Sequence, residues 1–133
     1  VLRVQSRILQ LREISEETTV GYGATYTAAP GTRIATVGIG YADGYPWSLG
    51  NRGVASVGGH RVPVVGRVSM DLTTLDVTGV PEDLVRPGCM VDLIGPDISL
   101  EEVAKRAGTI NYEILTRLGQ RARRKFVGGP AGK

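Results

Sequence analysis

Tyr22 stands between two glycines in the stretch Gly21-Tyr22-Gly23-Ala24-Thr25-Tyr26. A phenol flanked in this way approaches a ligand closely, because neither neighbour carries a side chain that blocks it. Two further stretches combine small residues with phenols or charged groups: Gly38-Ile39-Gly40-Tyr41-Ala42-Asp43-Gly44-Tyr45 and Val65-Gly66-Arg67-Val68-Ser69-Met70-Asp71. A fourth block, Thr109-Ile110-Asn111-Tyr112-Glu113, adds another phenol beside an acid. The blocks thus offer hydroxyls that both donate and accept, together with charges of both signs at Asp43, Arg67 and Asp71. Other chemistries are poorly provided for. Cys89 and His60 are the only cysteine and the only histidine, which excludes an internal disulfide and a structural zinc site. The lysines are Lys105, Lys125 and Lys133, and none has the buried apolar setting that a Schiff-base nucleophile needs.

The elements that must position these blocks are short. A chain of 133 residues has the size of one domain, and folding at this size buries roughly two-thirds of the extended chain's surface. Nineteen glycines and seven prolines divide it at short intervals, a pattern that favours an all-β architecture. Residues 32–42 alternate, with Ala35, Val37, Ile39 and Tyr41 on one face and Ile34, Thr36, Gly38 and Gly40 on the other. The bare glycine stripe implies close packing by backbone or ligand. Residues 54–57, a Gly58-Gly59 turn and residues 61–68 read as a hairpin. Residues 72–78 and 89–94 form two more strands, the second after an Arg86-Pro87-Gly88 turn. Closure of such strands into a barrel removes exposed edges.

Two helices come late. Ser99 caps the first, with Glu102 placed to complete a capping box, and Gly108 ends it. Asn111 caps a second that runs to Leu118 and stops at Gly119. The first segment is ambiguous, because Val1, Val4, Ile8 and Leu11 fit helical spacing. Charge is local: Arg117, Arg121, Arg123, Arg124 and Lys125 carry the basicity, and without them eleven positive charges face thirteen negative ones. No apolar run approaches the roughly 18 residues of a membrane span and no secretory signal is visible, so a reducing cytoplasm is the expected compartment.

The four blocks in this order, over nearly the whole chain, resemble the carboxy-terminal domain of alanine racemases, pyridoxal-phosphate enzymes that interconvert L- and D-alanine. The resemblance implies a mainly β, Greek-key-like barrel with one or two short helices near the carboxy terminus. It also implies a strand, not a helix, for the first segment. Residues 1–127 would form the domain and residues 128–133 a flexible tail. The cofactor-binding (β/α)8 barrel of the family, with its lysine, lies outside this chain, whose strands and helices show no such alternation. The chain is therefore expected to be a fragment, inactive by itself. Its implied partners are its own amino-terminal barrel and a second identical subunit in a head-to-tail homodimer, with a small amino acid as substrate. Such an enzyme feeds D-alanine to peptidoglycan or serves catabolism, and the residues do not separate the two. Nor do they separate alanine from serine.

Racemisation removes a proton from one face of the α-carbon and returns one to the other, so two acid/base groups must flank it. By resemblance, Tyr22 is the second base, opposite the cofactor lysine. A phenol with a reference pKa near 10 needs a shift of about three units, roughly 4 kcal/mol, to be mostly ionised at neutral pH. Burial acts in the wrong direction, so nearby cations must supply it. In the family an arginine and a histidine of the barrel domain serve that environment. Tyr41 matches a tyrosine lining the substrate entrance, and by its pattern it equally fits an in-facing strand aromatic. Met70 matches a residue whose backbone amide holds the substrate carboxylate; without the family it reads as a core methionine. Arg67, Asp71 and Asp43 match polar neighbours of the entrance, and Arg67 and Asp71 also fit a surface ion pair. Tyr112, at a helix start, matches a tyrosine reaching the cofactor phosphate, with plain packing as the alternative. Trp47 departs from the arginine that many relatives carry there. Two readings from other classes stay in view: a nucleic-acid-binding barrel using the basic 117–125 run, and a non-catalytic oligomerisation module. Against the first, no aromatic platform accompanies the basic run.

Overall fold

The computed structural model describes residues 2–20 and 26–121. Eight strands precede two helices: β1 (Val4–Glu13), β2 (Thr18–Val20), β3 (Tyr26–Ala28), β4 (Arg33–Val37), β5 (Val54–Val57), β6 (His60–Pro63), β7 (Thr73–Asp76), β8 (Met90–Ile94), α1 (Leu100–Ala107) and α2 (Asn111–Arg121). Six strands form one antiparallel sheet in the order β6-β5-β8-β1-β4-β7. An isolated Val64–Leu75 bridge, with Val65 N–H donating to Thr74 O at 3.0 Å, brings the two edges together. The sheet is thereby nearly closed, and the run β8-β5-β6-β7 is a Greek key. β2 and β3 form a separate hairpin.

The first segment is a strand. Val4, Ser6 and Ile8 point inward in a two-residue period, but the middle one is polar, so only the four-residue spacing of Val4 and Ile8 shows in the sequence. β1 pairs with β8 through Val4–Arg7 and with β4 from Ile8 onward, with irregularities after Val4 and after Ile8. The largely buried carboxylate of Asp92 on β8, opposite Gln5, is satisfied by Arg3 Nε at 3.0 Å, Arg3 Nη2 at 3.1 Å and Gln5 Nε2 at 2.8 Å. The 54–63 hairpin turns on Gly58 (φ 55°) and Gly59 (φ 87°), both left-handed, as a primed turn requires.

Three boundaries differ most from the sequence reading. β4 ends at Val37 rather than near Ala42, and residues 41–43 form a 3₁₀ turn. β6 ends at Pro63, where the chain leaves β5 and bridges to β7. α2 continues through Gly119 to Arg121, because buried Ile114 and Leu118 hold the helix on the core and one internal glycine costs only about 1 kcal/mol. At the start of α1, Ser99 Oγ accepts from Glu102 N–H at 3.1 Å, but the Glu102 carboxylate does not complete the box. It pairs instead with Nη1 and Nη2 of Arg61 and with Arg106 Nε at 2.9 Å, tying α1 to the β5–β6 hairpin.

The glycine stripe is filled from within the chain. A Cβ at Gly38 would touch Leu9, and one at Gly40 would lie inside 3.0 Å of the Ser69 and Met70 backbone. Gly44 (φ 96°) lies so close to the Arg117 carbonyl of α2 that a Cβ there would also clash with backbone. Among the described residues, no helix is long and apolar enough to cross a membrane and no acid, histidine or cysteine cluster suits a metal ion.

Gly44→Ala should cost about 2 kcal/mol or more, combining left-handed strain with overpacking against a backbone that cannot yield. Urea unfolding measures it, and a loss below about 0.5 kcal/mol, the level of an ordinary surface change, would contradict this packing. A second test concerns pH. Hydrogen bonds first from Arg61 and then from Arg106 lower the Glu102 carboxyl from 4.5 to about 2. A depressed carboxyl contributes stability above its unfolded value and loses it as pH falls through the folded one. Glu102→Gln should therefore cost about 1 kcal/mol near neutrality, with the gap to the unaltered protein in thermal melts closing between pH 4.5 and about 2. A gap unchanged down to pH 2 would contradict the pairing.

Candidate functional site

Three of the four motif blocks, 38–45, 65–71 and 109–113, meet at one end of the barrel. Tyr41 N–H donates to Ser69 O at 3.0 Å and Ala42 N–H to Met70 O at 2.9 Å, so the 38–45 and 65–71 blocks are joined backbone to backbone. Gly40 makes this approach possible, since any side chain there would displace Ser69 and Met70. The 69–72 turn is closed by Ser69, whose hydroxyl donates to Leu72 O and accepts from Leu72 N–H, both at 3.0 Å. Thr73 Oγ1 donates to Ile39 O at 2.6 Å and fixes the strand beneath. The Asp43 carboxylate accepts from Gly40 N–H at 3.0 Å, locking the 3₁₀ turn that carries Tyr41. Asp43 therefore has an internal role in shaping the loop.

The 109–113 block joins through α2. Gly44 packs on the backbone of Arg117, and Ser48 Oγ donates to Ala107 O at 2.7 Å between the two helices. A cavity of about 210 Å³ lies between Pro46–Ser48 and the facing ends of α1 and α2, where Thr109 donates to Glu113. The Glu113 carboxyl is held below the usual carboxylate range, first by that threonine and then by Arg117.

Tyr22 lies outside the described residues, in the 21–25 connection between β2 and β3. The residues flanking that connection are described. Val20 is buried with Ile14, Ala28, Ile34 and Val65, and Tyr26 packs against the same cluster. Val65 opens the Gly66-Arg67 block, so the hairpin bearing the Tyr22 connection is rooted on the loop system that carries Met70.

The remaining residues face outward. Tyr41 is 45% exposed in its 3₁₀ turn, which removes the in-facing strand alternative. Met70 is 53% exposed, so it is not a core methionine. Its carbonyl is engaged by Ala42, whereas its amide has no partner among the described residues. Tyr112 is 74% exposed at the first turn of α2 and is no packing tyrosine in this chain. Arg67 and Asp71 are both exposed and form no ion pair among the described residues. Trp47 is 57% exposed on the same loop. Of the basic run, Arg117 pairs with Glu113 at 3.4 Å, and residues 122–125 lie outside the described residues. Lys105, the single lysine among the described residues, is exposed on α1.

The close backbone packing expected at Gly40 is present, whereas sequence reasoning missed Gly44, which seats backbone on backbone in the same way. It also missed the 3₁₀ turn, whose signal was present in the Asp43-Gly44 pair that ends it.

Comparison with known proteins agrees with this geometry. A sequence model described as the alanine racemase C-terminal domain matches residues 1–126. The alanine racemase of Rhodospirillum rubrum is 59% identical over 128 residues, covering 96% of this chain and 34% of that protein. The catabolic alanine racemase of Agrobacterium fabrum is 49% identical over 127 residues, with 96% and 33% covered. Among solved structures, alanine racemase from Bartonella henselae, described with covalently bound pyridoxal phosphate, superposes with a TM-score of 0.82 at 40% identity, covering 87% of this chain and 32% of that one. The biosynthetic enzyme from Pseudomonas aeruginosa gives 0.80 at 42%, with the same coverage. The chain thus spans about a third of the length of the relatives it matches. Its nearly closed Greek-key barrel, its late pair of helices and the match across all four motif blocks make this chain a member of the alanine racemase C-terminal domain family.

Proposed function

We propose that this chain is the tyrosine-bearing β-domain of a pyridoxal-phosphate-dependent alanine racemase, residues 1–127 of it forming the domain proper. The observation that carries the reading is the family match over residues 1–126, which takes in all four motif blocks. Pyridoxal phosphate, when bound, supplies the electron sink that makes an α-proton labile. The residues present fit a contributing role toward it. Tyr112 offers an exposed hydroxyl at the first turn of an eleven-residue helix, suited to donate to a phosphate oxygen. Lys105, the single lysine among the described residues, is exposed and no cofactor anchor; in this reading the anchoring lysine lies on the barrel domain.

Within this reading, Tyr22 Oη takes the proton from one face of the substrate α-carbon or returns it there. The Met70 amide, unpartnered among the described residues, donates to the substrate carboxylate, and Tyr41, fixed through Ser69, borders the approach to both. Arg67 and Asp71 set the charge of that approach, and Asp43 shapes it by holding the Tyr41 turn. The phenol works as a base only beside cations, and those come from outside the chain. Hence the chain by itself is inactive. The complete site forms when the domain meets the barrel of a second identical subunit, head to tail, with alanine as the substrate and the cytoplasm as the compartment. Neither a nucleic-acid-binding reading nor a bare oligomerisation module draws support from the family match.

Tyr22→Phe in the full-length protein keeps the ring and removes the exchangeable proton. Racemisation should fall by about 10²–10⁴-fold, the span of general acid–base catalysis, while the cofactor's absorbance shows it still bound. Near-normal turnover in both directions would refute the assignment.

A further inference from the structure

Beside the Tyr41 loop lies an open groove of about 320 Å³ lined by Trp47, Ser48, Gly50, Asn51, Arg52 and Arg67. Its size sits at the lower limit of small-molecule sites and suits a ligand with a single ring. We propose that this groove is a binding site for a carboxylate carried on a flat apolar body, an aromatic monocarboxylate of the phenylpropionate type.

Three observations converge on it. The first is charge: Arg52 and Arg67 are both exposed, and neither guanidinium has a carboxylate partner among the described residues. Two uncompensated cations on one small groove favour an anion, and guanidinium forks match the plane of a carboxylate. The second is the indole of Trp47, 57% exposed on the groove's rim, which offers an aromatic face or edge to a ring. The third is rigidity. Asn51 is the sole residue besides glycine with a positive φ (57°) among the described residues. It grips Gly66 from both sides, its N–H donating to Gly66 O at 3.0 Å and its Oδ1 accepting from Gly66 N–H at 2.6 Å. Gly50 packs so closely on the Arg67 backbone that a Cβ would meet Arg67 Cα at 3.0 Å. Arg52 is fixed in turn by its N–H to Leu49 O at 2.9 Å and by Arg106 Nη1 donating to its carbonyl at 3.2 Å. The backbones bearing the two arginines are thus stapled together before any ligand arrives, which lowers the entropy lost on binding. The acid of this region, Glu102, is already committed to Arg61 and Arg106 and leaves the groove cationic.

The groove shares Arg67 with the substrate approach of the proposed function, but the test reads binding and not turnover, so its failure leaves the racemase reading standing. 3-Phenylpropionate is titrated into the full-length protein by calorimetry at low salt, beside its neutral amide, and into Arg52→Gln, Arg67→Gln and Trp47→Ala, each first shown folded by circular dichroism. The acid should bind saturably at one site and the amide should not. Each arginine change should weaken binding about three- to fivefold, the effect of one partly exposed charge pair. Trp47→Ala should weaken it comparably, and so should raising the ionic strength from about 0.01 to 0.15 M, which shortens the screening length from about 30 to 8 Å. Absence of saturable binding, equal affinity for the amide, or affinity unchanged in the arginine variants would each overturn the proposal.

Discussion

The constraint on which this structure depends is the closeness of bare backbones. At Gly40 the strand-end loop lies against the carbonyls of Ser69 and Met70, and at Gly44 the same loop lies against the carbonyl of Arg117. These two contacts put three segments, distant in sequence, on one end of the barrel with no side chain between them. Hydrogen bonds from Tyr41 and Ala42 then fix their register. A loop held by side chains would sample rotamers; a loop held by backbone amides at 2.9–3.0 Å does not, and positioning of substrate contacts demands that rigidity.

Outward from that junction, the fold divides labour between polar closure and apolar filling. One core collects valines, isoleucines and leucines from all six sheet strands and both helices. A smaller cluster, Ile14, Val20, Ala28, Ile34 and Val65, serves only to seat the β2–β3 hairpin. This second cluster explains why a short hairpin, marginal by itself, holds a fixed place. The face built this way is exposed: Tyr41, Met70 and Tyr112 all stand in solvent. In the proposed enzyme, phenols and an amide this open would gain their chemistry when another surface covers them and excludes water.

Much of this was legible in the sequence. The Gly58-Gly59 turn, the Ser99 cap and the Gly108 stop follow from local chemistry and occur where that chemistry puts them. Other features were hidden for identifiable reasons. β1 carries Ser6 at an inward position, which erased the two-residue period and left a spurious helical spacing. Glu102 had the right offset for a capping box, but two guanidiniums outcompete one backbone amide for its charge. Tyr41 continued the alternation of the preceding strand by residue type alone; the Gly40–Met70 contact ends the strand early and turns the ring outward. The Met70 amide was invisible in principle, since a backbone donor leaves no mark on residue choice. Gly119 looked like a helix stop because glycine usually is one, yet buried Leu118 keeps the helix going.

In the proposed enzyme this domain completes an active site that belongs to another copy of the same protein. Intersubunit complementation addresses that arrangement directly. Full-length subunits carrying Tyr22→Phe are mixed, through unfolding and refolding, with subunits whose barrel lysine is replaced, each parent being inactive. If sites are shared head to tail, every mixed dimer regains one intact site, and random pairing restores about a quarter of normal racemisation. If the tyrosine instead serves its own subunit's barrel, the mixture stays as inactive as its parents, and the shared site does not exist.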